Sequence, residues 1–190
     1  ISSGGVAYIK NPNIAMQRED LFLSQKIIRV NYQFKNITNQ MVTETILFPL
    51  PKVDSYSDSD FADTTHLIKT FKVWANGRVV QPKANVRAFI PQKNNGVDVD
   101  VTTALKACGL SDAELMNPWT AQYNATQIHE KIQSCRQAQV QQAIASSEDG
   151  EFFWRSQIIY SWQQAFPANV VTHVKHEYAP LVGGSVMFDI

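Results

Sequence analysis

With 190 residues, 44% of them hydrophobic, the chain is long enough to bury a core and too apolar to be disordered throughout. Seventeen basic residues balance seventeen acidic ones and Lys and Arg form no long run, which speaks against a nucleic-acid or other polyanion binder. No apolar run approaches the roughly 20 residues that span a bilayer.

Taken in order, residues 6–9 and 14–23 read as extended segments parted by Asn11-Pro12-Asn13, a turn signal because Pro fixes φ and Asn tolerates unusual backbone angles. Residues 28–51 read as a β-hairpin. Ile28, Val30, Tyr32 and Phe34 point one way and Arg29, Asn31, Gln33 and Lys35 the other, the alternation of a sheet with one buried and one wet face. Asn36-Ile37-Thr38-Asn39 supplies the turn, and Val42, Ile46, Phe48 and Leu50 share a face on the return before the stop at Pro51. Residues 52–65, rich in Ser and Asp, read as a solvated loop.

Strand character returns at 67–74. Asn76-Gly77 then marks a tight hairpin into 78–81, since both turn residues can take positive φ. Residues 86–90 add a strand and 92–96 an exposed linker. Asp100 can cap a short helix over 101–108, ended by Gly109; Ser111 and Glu114 fit a capping box for a second. Asn124 and Gln127 can open a long third helix to about Ser147, with Ile128, Ile132, Cys135, Gln139, Ala143 and Ile144 on one stripe. From Phe152 the two-residue period resumes through Trp154, Ile158, Tyr160 and Trp162, and residues 170–178 form a last strand before Pro180 and Gly183-Gly184. Val186, Met187 and Phe188 then start an apolar alternation that is cut off, the pattern expected of a processed or truncated part of a longer product. Strands at hairpin spacing without alternating helices predict a mainly β fold, an antiparallel β-sandwich with an α-helical insertion. The expected organisation is one domain over 1–190 with the insertion at 101–147.

The only two cysteines, Cys108 and Cys135, fall at the end of a short helix and on the apolar stripe of a long one, so they can meet. A disulfide there would contribute roughly 3 kcal/mol by restricting the unfolded chain. The alternatives are two buried thiols and a catalytic or metal role, the last without a Cys-x-x-Cys pair or an activating partner to support it.

His173 and His176 lie three apart on a strand and therefore on opposite faces, which argues against convergence on one metal ion. His66 and His129 stand alone. The acidic run Asp54, Asp58, Asp60 and Asp63 lacks the Gly and terminal Glu of an EF-hand loop and reads as solvated. Asp98 and Asp100 share a strand-like face, but the capping role of Asp100 already accounts for it. No nucleophile elbow, phosphate-binding glycine loop or His-Glu-x-x-His helix is present. The aromatic stripe Trp154, Tyr160 and Trp162 fits a buried strand face better than a sugar-stacking platform.

Gly4-Gly5, residues 11–16 and 19–24, and Phe48-Pro49-Leu50-Pro51 together resemble the N-terminal region of the bacterial exported family of domain of unknown function 4424. The match continues through residues 73–77, 100–110, 162–168 and 178–183, nearly the whole chain. The resemblance implies a removed signal peptide, a periplasmic or secreted location and a somewhat longer natural product; it implies no mechanism. A weaker resemblance, resting on the strand that ends in Phe-Pro-Leu-Pro, is to the β-sandwich domain shared by vault proteins and inter-alpha-trypsin inhibitor heavy chains. For an exported bacterial protein, the formal glycosylation acceptors at Asn36 and Asn124 serve more simply as a turn and a helix cap.

The expected function is an exported, non-catalytic binding or scaffolding module without cofactor or metal. Its partner would be a protein or a glycan, with no nucleic acid involved. Trp119 and Tyr123, aromatic residues near helix ends of the insertion, are the candidate partner surface, and an exposed sheet edge accepting another strand is the competing mode. The alternative is a hydrolase or carbohydrate-active enzyme whose site is assembled from distant residues, for which a polar pocket gathering His66, His173 or Asp98 would speak.

Overall fold

The computed structural model describes residues 9, 11–55, 64–91, 96–120, 125–147 and 149–180. In chain order the elements begin with β1 (Ile14–Leu23), β2 (Ile28–Asn36), β3 (Val42–Pro49), β4 (Val53–Asp54), α1 (Thr64–Thr70), β5 (Lys72–Ala75), β6 (Arg78–Val80), β7 (Lys83–Ile90) and β8 (Val99–Asp100). A helical stretch follows: α2 (Thr102–Ala107), α3 (Asp112–Leu115), α4 (Asn117–Thr120), α5 (Ala125–Ser134) and α6 (Ala138–Ala145). The chain returns to strands with β9 (Arg155–Phe166) and β10 (Val171–Tyr178). It is mainly β, an antiparallel sandwich carrying helices, and it divides into two compact units.

One unit comprises Gly5–Pro49, Ser59–Ala84 and Tyr160–Ile190. Its five-stranded sheet has the order β1-β2-β10-β5-β6, antiparallel throughout. Val30, Tyr32 and Phe34 of β2 and Thr172, Val174, His176 and Tyr178 of β10 turn inward and are buried. They meet an opposing layer made by β3 and the second half of β9. Phe48 lies tilted at 4.2 Å from the His176 ring and Phe166 stands edge-on to Phe34 at 6.2 Å, while Phe71, between α1 and β5, stacks at 4.1 Å on Tyr160. Burial pushes the Tyr160 hydroxyl up to about 12 and the His176 imidazole down to about 3.

Residues 28–51 do not form a hairpin: β2 pairs with β1 and β10, and β3 pairs with β9. The chain crosses between layers at Asn36, which is fully buried. Its amide nitrogen donates to the carbonyls of Gln40 (2.7 Å) and Phe166 (2.9 Å), and its oxygen accepts from the Thr38 N–H and hydroxyl. That bonding also rules out Asn36 as an accessible acceptor for a glycan. The true hairpin partner of β2 is β1, closed by a turn in which the Ser24 hydroxyl accepts from the Lys26 and Ile27 N–H groups. Asn76 and Gly77, at φ 46° and 76°, make the predicted tight turn between β5 and β6. Residues 64–70 are helical rather than extended, and strand structure starts only at Lys72; Leu67 anchors that helical turn in the interior.

The other unit comprises Ile1–Gly4, Leu50–Asp58 and Asn85–Ile159. Here β4 and β7 flank the first half of β9, and β8 pairs with β7. The helices pack on these strands. Val86, Ala88, Phe152 and Trp154 form one core with Val101, Leu105, Leu110, Leu115, Ile128, Ile132 and Val140. The Trp154 indole donates to the Leu115 carbonyl at 3.2 Å. Cys108 and Cys135 are disulfide-bonded, with Cα atoms 5.1 Å apart.

The predicted long third helix is two, broken at residues 135–137. Cys135 is tied covalently to Cys108, and Gln137 adopts extended angles (φ −70°, ψ 127°) before α6 begins. The break shifts the buried stripe by one position, so Val140 is buried and Gln139 is exposed. α2 starts at Thr102, with the Asp100 carboxylate accepting its N–H (2.9 Å) and hydroxyl (2.6 Å). Burial pushes the Asp100 carboxyl up, but those bonds and the Arg87 guanidinium more than offset it and hold it below its ordinary value. Ser111 caps α3, accepting from Glu114 N–H at 3.1 Å. The extended segment expected at 6–9 falls almost wholly outside the described residues.

Candidate functional site

On β2 and β10 the inward residues are buried, most of them apolar, and the alternate positions build a polar outer face on the five-stranded sheet. The register lines these residues up in rows across the strands. One row is Asp20, Asn31, Lys175 and Trp74, from β1, β2, β10 and β5. The next, one pleat along, is Arg18, Gln33 and His173. All of these residues but Arg18 line a depression of about 380 Å³, which Gly77 of the β5–β6 turn also borders.

Two contacts organise the depression. The Lys175 ammonium sits 4.1 Å from the centre of the Trp74 ring, a cation–π contact between neighbouring strands. The Asp20 carboxylate is bound by the Arg18 guanidinium at 2.7 Å. Asn76 fixes the rim through its side-chain oxygen, which accepts from His173 N–H at 2.9 Å, and through its own N–H, donated to the His173 carbonyl at 2.7 Å. Asn31 and Gln33 make no side-chain hydrogen bond among the described residues, so two carboxamides face the depression with donors and acceptors to spare. A third row, Phe22, Arg29, Glu177 and Lys72, lies on the other side of the Asn31 row and is tied by the Arg29–Glu177 ion pair at 2.6 Å.

The residues singled out in the sequence fall elsewhere. Trp119, in α4, is fully buried, so its ring offers no surface to a partner. Tyr123 lies outside the described residues. His173 lines the depression just described, His66 lines a different one, and Asp98 is held by Lys52 at 2.8 Å and Arg155 at 3.7 Å in the other unit. These three groups therefore do not gather. His176 is buried and His173 exposed, as opposite faces of one strand require. Asp54 pairs with Arg155 at 2.9 Å, and Asp58, Asp60 and Asp63 lie outside the described residues. Among the described residues no three His, Cys, Asp or Glu side chains come together in a way that could hold a metal ion. Trp154, Tyr160 and Trp162 are all buried.

The outer face was half visible beforehand, since Arg29, Asn31 and Gln33 already alternate with the apolar residues. Trp74 was not, because its place beside Lys175 depends on β5 pairing with a strand about 100 residues later in the chain. The unit that carries the helices has a shallow groove of about 660 Å³ between α6 and the β7–β8 edge, with Phe153 on its rim. On the five-stranded sheet, the edge strand β1 carries Met16, Leu21, Phe22 and Leu23, each about half exposed.

A family model described as domain of unknown function (DUF4424) matches residues 1–189. A search of curated proteins finds no match. Among solved structures, the chain is similar to a Legionella pneumophila protein named as a candidate nutrient binding protein, at 16% identity and a TM-score of 0.43. The similarity covers 92% of this chain and 42% of that one, so the chain spans less than half its length. The resemblance to the vault and inter-alpha-trypsin inhibitor domain finds no support in these comparisons. No helix among the described residues is long and apolar enough to cross a membrane.

Proposed function

The chain belongs to the DUF4424 family, and we propose that it is an exported, non-catalytic binding module whose ligand sits on the outer face of its five-stranded sheet. The ligand class that fits is a glycan. Two carboxamides (Asn31, Gln33), a carboxylate (Asp20) and an imidazole (His173) surround one indole (Trp74), and sugar recognition uses this mixture: hydroxyls pair with amides and carboxylates while a pyranose face lies on an aromatic ring. The observation that carries the reading is the pair of carboxamides on β2 that make no side-chain hydrogen bond among the described residues, Asn31 in register with Trp74 across β10 and Gln33 in the next row. Lys175 would give up its place over the indole when a sugar ring takes it. Export is supported by the family resemblance and by the disulfide, since such bonds persist in oxidising compartments.

The test is calorimetric titration against a panel of neutral and acidic oligosaccharides, with Asn31→Ala, Gln33→Ala and Trp74→Ala as variants. Loss of one bonding side chain is expected to weaken binding at least tenfold with melting temperature unchanged. Binding that is indifferent to all three variants would overturn the placement. The deletion that first suggests itself, removal of residues 101–147, is a poor test of any partner surface on the helices, because that stretch supplies most of the core of its own unit.

A further inference from the structure

At the end of the sheet where β10 leaves, a second depression of about 250 Å³ is lined by Lys26, Lys69 and Lys72 together with His66, Thr70 and Glu177. In a chain with no net charge, none of these three lysines makes an ion pair among the described residues. The lone carboxylate beside them is already engaged: Glu177 accepts from Arg29 at 2.6 Å and lies 3.6 Å from Lys175. A depression of this volume is roughly 8 Å across, comparable with the screening length at physiological ionic strength, so an anion bound within it lies inside the electrostatic reach of all three lysines.

Each lysine is set by a different element, and each element is pinned locally. Lys26 sits in the β1–β2 turn that Ser24 ties together through three hydrogen bonds. Lys69 is in the last turn of α1, whose end is locked by the Thr70 hydroxyl, donating to the His66 carbonyl at 2.9 Å and accepting from the Ala179 N–H at 2.8 Å. Lys72 opens β5, in register with Glu177. Placing Lys69 at a helix C-terminus complements the helix dipole. That explanation does not extend to Lys26 or Lys72.

We propose that this depression binds a phosphate group, either inorganic phosphate or a phosphomonoester. A doubly charged oxyanion can draw on three cations at once, and lysines hold phosphate as point charges without demanding bidentate geometry. The site shares no residue with the glycan-binding face, so either can fail without the other.

The experiment is a nuclear magnetic resonance titration of the labelled chain with inorganic phosphate, methyl phosphate and sulfate, at ionic strength held constant with chloride. Saturable shifts confined to the amides of residues 26–27 and 69–72 are expected with phosphate or its ester, and the tighter of the two identifies the source. Lys69→Gln with Lys72→Gln should weaken binding at least tenfold, and Lys83→Gln, on an exposed strand position that lines neither depression, should leave it unchanged; thermal melts confirm that the variants fold. Shifts that rise linearly with every anion, or a double variant that binds within twofold of the parent, would overturn the proposal.

Discussion

His176 makes a sharp test of how the sandwich interior is held. It lies on the inner face of β10, fully buried, with its ring centre 4.2 Å from Phe48, 5.4 Å from Tyr32, 6.0 Å from Tyr178 and 6.2 Å from Phe71. Among the described residues neither ring nitrogen meets a hydrogen-bond partner. Desolvation in this aromatic surrounding disfavours the imidazolium and lowers the pKa to about 3, against about 6.5 in an unfolded chain. The sign follows directly. Between those two values the unfolded chain holds one more proton than the folded one, so stability is complete above about pH 6.5 and is lost as pH falls toward 3.

From pH 7.5 to 5.5, above the range where carboxylates titrate, this one group should remove about 1.4 kcal/mol. Urea unfolding of the parent and of His176→Phe at both pH values isolates it. The parent should lose about 1.4 kcal/mol more than the variant across the interval. The variant need not equal the parent in absolute stability, because Phe is larger and repacking carries its own cost; the pH slope is the readout. Equal slopes in the two proteins would refute the view that a neutral, unpartnered imidazole sits in the core.

Two further outcomes follow from single features. Replacing both Cys108 and Cys135 by Ser opens a loop with a sequence separation of 27 and should cost about 3–4 kcal/mol in denaturant unfolding; a loss below 1 kcal/mol would show that the helices hold Cys135 in place without the bond. Asn36→Ala removes four hydrogen bonds at the crossing between layers, two donated and two accepted, and should cost about 3–4 kcal/mol. Calorimetric melting that moves by less than about 2 °C would contradict the role of Asn36 as the tie between the residue 37–40 turn and Phe166.

The strands were legible because period-two alternation survives any partner: Ile28 to Asn36 and Trp154 to Trp162 bury alternate residues as the sequence indicates. Pairing was not legible, for the same reason. Two apolar faces of period two can lie side by side in one sheet or look at each other across a sandwich, and both arrangements bury Tyr32, Phe34, Ile46 and Phe48. What separates them is local chemistry at the corner. Asn36 spends its carboxamide on the turn and on Phe166, and Phe166 is a residue that a two-strand hairpin would never bring to it. The true hairpin, β1 with β2, has Ser-Gln-Lys-Ile at its turn and no glycine, so it carried no signal of the kind that made Asn76-Gly77 readable.

The helices show the complementary limit. Spacings of three and four located the buried stripe through Ile128, Ile132 and Cys135, but could not register that a covalent tie at Cys135 stops one helix and rotates the next. Aromatic residues at helix ends read as surface anchors, yet Trp119, flanked by Asn117 and Thr120 in sequence, is buried completely. Both candidate binding sites have the opposite character. Asn31 and Gln33 on β2, and the lysines of the β1–β2 turn, α1 and β5, are ordinary exposed residues one at a time; each set acquires chemistry only when β10 brings β2 and β5 to its two edges. The strand that organises both sites is therefore the one whose own inward side chain, His176, is least suited to burial. A substitution that alters the seating of His176 should disturb Lys175 and Glu177, its immediate neighbours on the outer face, and through them both depressions at once.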